Sequence, residues 1–396
     1  MIKALNILVS LFMLGGCTMK GDTDVIKPSS GDIYSGDMSY EISSSYESDF
    51  DFMKYMPKDQ NYMISPFSIK MAMMMAANGA NGYTQKEILS ALGVSSIDEY
   101  NQKASDIITR YNSNKDVNLN VANSIWLNKD EAMGANFKGT YKKIISDFYK
   151  GVAREEKANS IAKKINDFIS KETSNKITNV LPTESPAGFL SALVNTIYFK
   201  GSFKNQFDTA NTKKDTFTDR NGDKSEIDFM NQTKHFGYYE NDGVQMLKMD
   251  YSGRDIAMYI LLNDDDKDVD INDIIGKMEY KNVSVSMPKF KTEFNKSFVD
   301  VLKQMGINTA FTNVADFSNM FNGVEAHISD VIHKTFIEVD ENGTEAAAAT
   351  VILMRMSSLP MPEEIKEFKA NKPFTYFIRD EVSGEILFLG EYAFAK

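Results

Sequence analysis

A stretch of small residues constrains this chain more than any other feature. Within residues 341–350, Gly343 is followed by Thr344, Glu345, four alanines and Thr350. Because alanine is the strongest helix former, composition alone predicts a short surface helix or an alanine-rich linker. At the two-residue period of a strand, the same stretch divides into two unlike faces.

The two strand faces differ in charge. One face is uncharged throughout and small at its leading end: Thr344, Ala346, Ala348, Thr350, Ile352, Met354 and Met356. The other face carries both charged side chains: Glu345, Ala347, Ala349, Val351, Leu353 and Arg355. An uncharged face can enter a packed sheet while the charged face stays in water. The segment is therefore suited both to an exposed loop and to a buried strand.

This stretch resembles the hinge of a serpin reactive-centre loop. In that family an acidic residue, a variable residue, Gly, Thr and Glu precede a run of small residues. Glu341, Gly343, Thr344 and Glu345 hold those places, and the run is Ala346, Ala347, Ala348, Ala349 and Thr350. Asn342 is a mild departure, because that position is often acidic.

Three further blocks resemble serpin sequences in the family's order. They are Asn61 with Ser65–Ser68 and Gly79–Thr84, then Leu193–Gly201, then Asn371–Phe374 with Phe377–Asp380 and Leu387–Gly390. Together with the hinge they span roughly residues 40 to 396. Agreement over that length is far more specific than any single motif.

Local patterns predict an α+β chain, because helical periodicity dominates before residue 189 and strands dominate after it. Ser65 and Pro66 favour the start of a methionine-rich helix. Thr84 with Glu87, and Ser96 with Glu99, are typical of capping boxes. A long apolar strand follows near 189–199, strands are predicted at 331–340, 373–379 and 385–390, and short helices near 271–279 and 296–305. The resemblance implies helices on a large central mixed β-sheet, smaller sheets and an exposed reactive-centre loop at about 341–362.

The N-terminus is typical of an exported protein. A basic start and a short apolar run precede Leu14-Gly15-Gly16-Cys17, which resembles a bacterial lipobox. We therefore expect residues 1–16 to be a lipoprotein signal peptide and Cys17 to be acylated. Residues 17–42 are expected to form a flexible tether, and 43–396 a single domain, lipid-anchored at the bacterial cell envelope. The alternative is an ordinary signal peptide with an incidental cysteine.

The composition gives no indication of an enzyme or of a nucleic-acid binder. A formal net charge of −11 disfavours binding to nucleic acid or to an anionic membrane surface. We find no nucleophile elbow, phosphate loop or catalytic constellation, and we expect no cofactor. No metal site is predicted from the three histidines, which are His235, His327 and His333. None is predicted from the acidic run of Asp264, Asp266, Asp268 and Asp270 either.

Four polar residues match a serpin cluster beneath the centre of the main sheet: Ser65, Ser68, Asn195 and His333. The resemblance implies that they bridge the strands that part when the loop enters. Taken singly, each is equally a helix cap or a satisfied buried polar group. Phe203 lies where the family often has tryptophan, so it keeps the apolar bulk without the indole N–H.

The resemblance implies an irreversible suicide-substrate inhibitor of serine proteases, and some cysteine proteases are further possible targets. A protease cuts the loop, and the loop inserts into the sheet before the acyl-enzyme is hydrolysed. Counting sixteen positions from Glu341 places the cut after Ser357 and before Ser358, with Met356 and Arg355 as alternatives. These residues favour elastase-, subtilisin- or chymotrypsin-like targets, and we expect a monomer.

Two other functions stay open at this point. The first is a non-inhibitory serpin-fold binding protein on the cell surface. Bulky, charged or proline residues in the hinge would favour this function, whereas Ala346–Ala349 are all small. The second is a surface lipoprotein hydrolase, which would need a nucleophile and a base that the sequence does not offer.

Overall fold

The computed structural model describes residues 49–113, 117–182, 190–253, 255–263, 267, 269–322, 326–344 and 363–395. They belong to a compact unit that spans Ile42–Lys396. Three of the predicted features lie outside the described residues: Cys17 with its signal peptide and tether, the hinge from Glu345 to Thr350, and the reactive bond at 355–358.

The helices are concentrated in the first half of the chain. They are α1 (Pro66–Gly79), α2 (Gly82–Ala91), α3 (Ile97–Ser113), α4 (Gly139–Tyr149), α5 (Ala158–Glu172), α6 (Ile271–Gly276) and α7 (Val299–Gln304). The predicted start of α1 is confirmed, since the Ser65 hydroxyl accepts a hydrogen bond from the Ser68 N–H at 3.1 Å. Within the described part of the chain, no helix is long and apolar enough to cross a membrane.

One predicted capping box is confirmed and the other is wrong. The Ser96 hydroxyl accepts a hydrogen bond from the Glu99 N–H at 3.3 Å, just before α3. At α2, however, the helix begins at Gly82, so Thr84 lies inside it. Thr84 instead accepts from the Asp316 N–H, and Glu87 accepts from the Thr309 N–H. Both side chains therefore hold α2 against a segment more than 200 residues away in sequence.

The described residues form three sheets. The strands are β1 (Tyr62–Ile64), β2 (Val117–Asn128), β3 (Asn136–Phe137), β4 (Val152–Glu156), β5 (Ser191–Ser202), β6 (Lys213–Thr218), β7 (Lys224–Asn241), β8 (Val244–Asp250), β9 (Ile256–Asn263), β10 (Glu279–Pro288), β11 (Phe290–Ser297), β12 (Phe321–Asn322), β13 (Asp330–Asp340), β14 (Gly343–Thr344), β15 (Lys366–Lys369), β16 (Phe374–Asp380) and β17 (Ile386–Tyr392). The six-stranded sheet has the order β11-β13-β14-β5-β2-β4, and β13 also pairs with β5. The nine-stranded sheet has the order β1-β17-β16-β9-β8-β7-β10-β15, with β6 on β7, and β12 pairs with β3. The predicted α+β class is confirmed.

Strand β5 is buried on both faces, which explains its almost wholly apolar sequence. One face of the six-stranded sheet packs against α5 through a compact apolar cluster that includes Trp126, Ala192, Val194, Ile332, Ile161, Ile165 and Ile169. Leu193, Ile197 and Phe199 point to the other face, where they join the main core with the methionines of α1. The centre of this sheet is therefore enclosed between α5 and α1.

A buried network of charges joins α1 to three distant parts of the chain. Lys70, which is 2% exposed, contacts Asp49 at 2.8 Å and also contacts Glu385. Glu385 contacts Lys103 of α3 at 2.6 Å. Burial raises the pKa of Asp49 to about 7, against the attraction of Lys70. Burial also opposes ionisation of Glu385, but Lys70 and Lys103 outweigh it and hold its pKa at about 2.

Lys70→Met is expected to lower Tm by several degrees at pH 7, because two buried carboxylates lose their shared cation. The difference in Tm between the parent and the variant should be smaller at pH 5. In the variant, Glu385 keeps Lys103, whereas the buried Asp49 carboxyl would have a pKa still further above its unfolded value, so the stability that Asp49 contributes is lost as pH rises and recovered as pH falls. Thermal unfolding followed by circular dichroism measures this effect. Lys54→Met, which removes an exposed pair with Asp51, is the matched control. An equal Tm loss at both pH values would contradict the assignment.

Candidate functional site

A two-residue strand separates the central strands of the six-stranded sheet at one end. In β14, Thr344 pairs with Val339 of β13 on one side and with Gly201 of β5 on the other. Elsewhere β13 and β5 pair directly and in parallel, up to Phe336 and Tyr198. The two strands therefore diverge beyond that point and admit a third strand, which is the beginning of the predicted hinge.

Only glycine fits the first position of β14. Gly343 has φ +144°, and a Cβ atom built on it would lie 2.2 Å from the Gly201 carbonyl oxygen. The preceding turn is fixed by backbone hydrogen bonds, since the Phe203 N–H donates to the Asn342 carbonyl and the Phe207 N–H donates to the Glu341 carbonyl, both at 2.8 Å. The hinge motif therefore has glycine at this position because two backbones approach too closely for any side chain.

Glu341 anchors the turn that leads into β14. Its carboxylate accepts a hydrogen bond from the Thr212 hydroxyl at 2.7 Å and pairs with Lys289 at 2.9 Å. Burial opposes ionisation of this carboxyl, but Thr212 and Lys289 outweigh burial and hold its pKa below the usual value. The acidic residue of the motif therefore fixes the point from which the loop departs.

Thr344 points into the core. Its Oγ1 lies 2.6 Å from the Tyr251 hydroxyl, and both residues are fully buried. Phe203 stacks on Tyr251 with ring centroids 5.0 Å apart, and Phe199 meets Tyr251 edge-on at the same distance. Phe203 thus lies at the hinge, eight residues along the chain from Asn195, and not in the polar cluster.

The other four predicted residues meet at the middle of the sheet. Asn195 of β5 and His333 of β13 are direct partners in the strand register. The Ser65 N–H donates to His333 Nε2 at 3.0 Å, and the Ser65 hydroxyl holds the Ser68 N–H. We call the line along which β13 and β5 pair directly the seam. The start of α1 is therefore hydrogen-bonded to one of the two strands that form the seam.

Sequence reasoning missed a fifth member, Asn123 of β2. The Asn195 side-chain amide donates to Asn123 Oδ1, and the Asn123 amide donates to the Tyr149 carbonyl at the end of α4. Asn123 and Asn195 are direct partners in the β2–β5 register. The sequence does not single out Asn123, because β2 contains four asparagines, and the residue becomes informative once that register is known.

Several polar atoms at the seam have no hydrogen-bond partner among the described residues. They are Ser68 Oγ, Asn195 Oδ1 and His333 Nδ1. Burial lowers the pKa of His333 to about 3, so its imidazole is neutral. Since Nε2 accepts from Ser65, Nδ1 carries the proton and is a donor without a partner. A buried polar group without a partner costs about 1–3 kcal/mol, so these three atoms are sites where a further polar group would be stabilising.

The other two histidines have surroundings unrelated to the seam. His235 contacts Glu363 at 3.0 Å on the surface, and the His327 carbonyl accepts a hydrogen bond from the Ser191 hydroxyl. Among the residues that the structure describes, no group of three His, Cys, Asp or Glu side chains is placed to hold a metal ion.

Comparison with known sequences gives a family match over the described unit. The family model described as Serpin (serine protease inhibitor) matches residues 49–393. An uncharacterised serpin-like protein of Thermococcus kodakarensis is 34% identical over 358 residues, covering 86% of this chain and 82% of the relative. The leukocyte elastase inhibitor of Homo sapiens is 31% identical over 360 residues, covering 84% of this chain and 93% of the relative.

Solved structures show the same fold. The native thermophilic serpin tengpin matches with a TM-score of 0.79 at 26% identity, over 89% of this chain and 93% of that one. Human thyroxine-binding globulin matches with a TM-score of 0.77 over 87% of this chain and 94% of that one, and at 22% identity it supports the fold alone. The predicted serpin fold is confirmed, and this chain is a member of the serpin family.

Proposed function

We propose that this protein is an irreversible inhibitor of serine proteases, which cut its reactive-centre loop and are trapped when the loop enters the six-stranded sheet. The observation that carries the proposal is β14, because the first hinge residues already form a strand between β13 and β5. The family includes inhibitors such as the leukocyte elastase inhibitor and binding proteins such as thyroxine-binding globulin.

In the proposed mechanism the protease attacks the loop as a substrate. Its serine oxygen bonds to the carbonyl carbon of the residue before the cut, and the amine of the next residue leaves with a proton. The loop segment after Thr344 stays covalently attached to the enzyme as an ester. Insertion then competes with hydrolysis of that ester, and fast insertion leaves the enzyme trapped.

The register of β14 supports insertion of the remaining hinge. Continuing the pairing of Thr344 with Val339 and Gly201 places Ala346 between Ile337 and Phe199. The same register places Ala348 between Thr335 and Ile197, and Thr350 between His333 and Asn195. All three would share the buried face of Thr344, and all three are small and uncharged.

The polar cluster supports the same register. Thr350 would arrive where His333 Nδ1 and Asn195 Oδ1 lack partners among the described residues. A threonine hydroxyl both donates and accepts, so it suits a ring N–H on one strand and an amide oxygen on the other. In this proposal the seam is left incomplete until the loop arrives.

Insertion also gains backbone hydrogen bonds. The direct β13–β5 ladder runs from Asp330–Phe336 on one strand to Ala192–Tyr198 on the other, which is seven residue pairs. An inserted strand replaces one ladder with two, a net gain of roughly seven hydrogen bonds, or about 4–10 kcal/mol before apolar burial. A folded domain is stable by about 5–15 kcal/mol, so this gain, with apolar burial added to it, is of the size needed to distort a protease.

The non-inhibitory alternative has one observation in its favour. A groove of about 1020 Å³ is lined by apolar side chains and by charged side chains of both signs, which include Phe50, Met53, Leu261, Lys54, Arg220, Asp51 and Glu391. Its charges are partly neutralised within the groove, since Lys54 pairs with Asp51 and Arg220 pairs with Glu391. The hinge geometry is therefore the stronger indication.

The proposal predicts a covalent complex. The purified domain, incubated separately with pancreatic elastase, subtilisin and chymotrypsin, is expected to give an SDS-resistant band at the summed mass. Mass spectrometry of the released C-terminal peptide should show a start at Ser358, whereas a start at Ser357 would assign the cut after Met356. Cleavage outside 355–358 would refute the assigned bond. Cleavage with no complex in any of the three would favour the non-inhibitory alternative.

Ala348→Arg is expected to convert the inhibitor into a substrate. The charge would enter the core between Thr335 and Ile197, which slows insertion while leaving the cleaved bond unchanged. Ala347→Arg is the matched control and should do less harm, since its face is the one where Lys291 already lies 4.9 Å over the Phe336 ring. The readout is the ratio of covalent complex to cleaved inhibitor. Equal trapping by Ala348→Arg and the parent would exclude loop insertion as the mechanism.

Envelope anchoring through Cys17 is part of the proposal and rests on the lipobox resemblance alone. The full chain, expressed in a bacterial host, should partition into the membrane fraction, because two or three acyl chains give stable attachment. Cys17→Ser should move it into the soluble fraction. Unchanged partition of that variant would rule out the lipid anchor.

A further inference from the structure

Among the residues that the structure describes, Lys70 is the only buried lysine, and it lies against two buried carboxyl groups. Lys70 is 2% exposed, Asp49 is 0% exposed and Glu385 is 1% exposed. Lysine is almost never fully buried unless it is paired, because its charge is costly to remove from water. The three side chains therefore form an enclosed group of one amine and two carboxyls.

The Lys70 nitrogen faces both oxygens of the Asp49 carboxyl group. Nζ donates a hydrogen bond to Oδ2 at 3.0 Å and lies 2.8 Å from Oδ1. Because the two oxygens are nearly equidistant from Nζ, the carbon between them lies within about 3.3 Å of Nζ. Reacting atoms in a near-attack arrangement are about 3–3.5 Å apart. The Lys70 nitrogen is therefore within bonding reach of Asp49 Cγ.

Glu385 contacts the same nitrogen and is placed to move its protons. Glu385 Oε1 contacts Lys70 Nζ, and the other carboxylate oxygen, Oε2, lies 2.6 Å from Lys103 Nζ. A carboxylate beside an ammonium can accept one of its protons and pass it to a neighbouring oxygen. Glu385 thus has the position of a general base towards Lys70.

A bond between the two side chains requires a neutral acid and a neutral amine. Burial raises the pKa of Asp49 to about 7, against the attraction of Lys70, so the neutral acid is within reach at physiological pH. Burial lowers the pKa of the Lys70 ammonium, but the charges of Asp49 and Glu385 outweigh burial and raise it. The neutral amine therefore forms only when a carboxylate takes one of its protons, and Glu385 is in contact to do so.

We infer that Lys70 and Asp49 condense into an isopeptide bond once the chain has folded, with Glu385 as the proton carrier. Lys70 Nζ bonds to Asp49 Cγ, and one Asp49 carboxyl oxygen leaves as water. Two of the three ammonium protons pass through Glu385 to that oxygen, and the third stays on the amide nitrogen. Nothing is oxidised or reduced, and no other reactant enters.

The condensation removes one buried ion pair and leaves a second one complete. Before the reaction, two lysines and two carboxyl groups share the enclosed network. Afterwards Glu385 and Lys103 remain as a balanced pair, and the amide carries no charge. The desolvation cost of the Lys70–Asp49 pair is thereby relieved, and burial keeps water away from the new bond.

The isopeptide bond gives the chain a covalent link that its cysteine content does not allow. Cys17 is the only cysteine, so no intramolecular disulfide can form. Asp49 is the first residue that the structure describes, shortly after the predicted tether, and Lys70 lies in α1. The bond therefore fastens the start of the folded unit to α1, and it is independent of the proposed inhibitory function.

Peptide mapping of the purified full chain tests the inference. After denaturation and digestion with trypsin, mass spectrometry should find the peptides that contain Asp49 and Lys70 joined, at one water below their summed mass, with no cleavage after Lys70. Lys70→Arg is the matched control, because it keeps the positive charge but its guanidinium stays protonated, so its peptides should be unlinked. Glu385→Gln should reduce the linked fraction about tenfold or more.

The decisive measurement is made on the parent chain and does not depend on how the variants fold. Unlinked peptides in the parent, with normal cleavage after Lys70, would overturn the inference. A bond from Lys70 to Glu385 would overturn the assignment of Asp49, and a complete cross-link in Glu385→Gln would overturn the role of the proton carrier. None of these results bears on inhibition, which the covalent-complex experiment measures separately.

Discussion

The direct pairing of β13 with β5 is the interaction on which the rest of this structure depends. It closes the six-stranded sheet over seven residue pairs, and α1 and α5 pack on its two faces. The same pairing leaves Asn195 Oδ1 and His333 Nδ1 without partners among the described residues. The sheet therefore supports the helices packed on its two faces. Its centre nevertheless keeps polar groups that a further strand could satisfy.

The start of the hinge, from Glu341 to Thr344, was predictable from sequence because its requirements are local. Gly343 is needed where two backbones approach closely, and a strand that enters a sheet needs a small uncharged face, so both leave a pattern in neighbouring residues. Asn123, Thr84 and Glu87 could not be assigned in the same way. Their partners are 72, 232 and 222 residues away, so their roles depend on a register that no local pattern encodes.

Charged side chains have different roles in the network around Lys70 and at the Glu341 turn. The network around Lys70 is enclosed and joins α1, α3 and the β16–β17 turn, so it holds together the scaffold on which the seam rests. Glu341 is held by one hydroxyl and one half-exposed lysine, which together fix a single point of the chain at the entrance to the sheet. The first arrangement resists movement of whole elements, whereas the second marks the point where the proposed insertion begins.

The tight turn between β13 and β14 has a consequence for how the chain folds. Two residues, Glu341 and Asn342, connect these strands, so their pairing is a local hairpin, whereas β13 meets β5 across 138 residues of sequence. Hairpins form in about 1–10 μs, and long-range pairing is slower. Both pairings use the same edge of β13, so any extension of the hairpin along β13 would have to displace β5 from that edge.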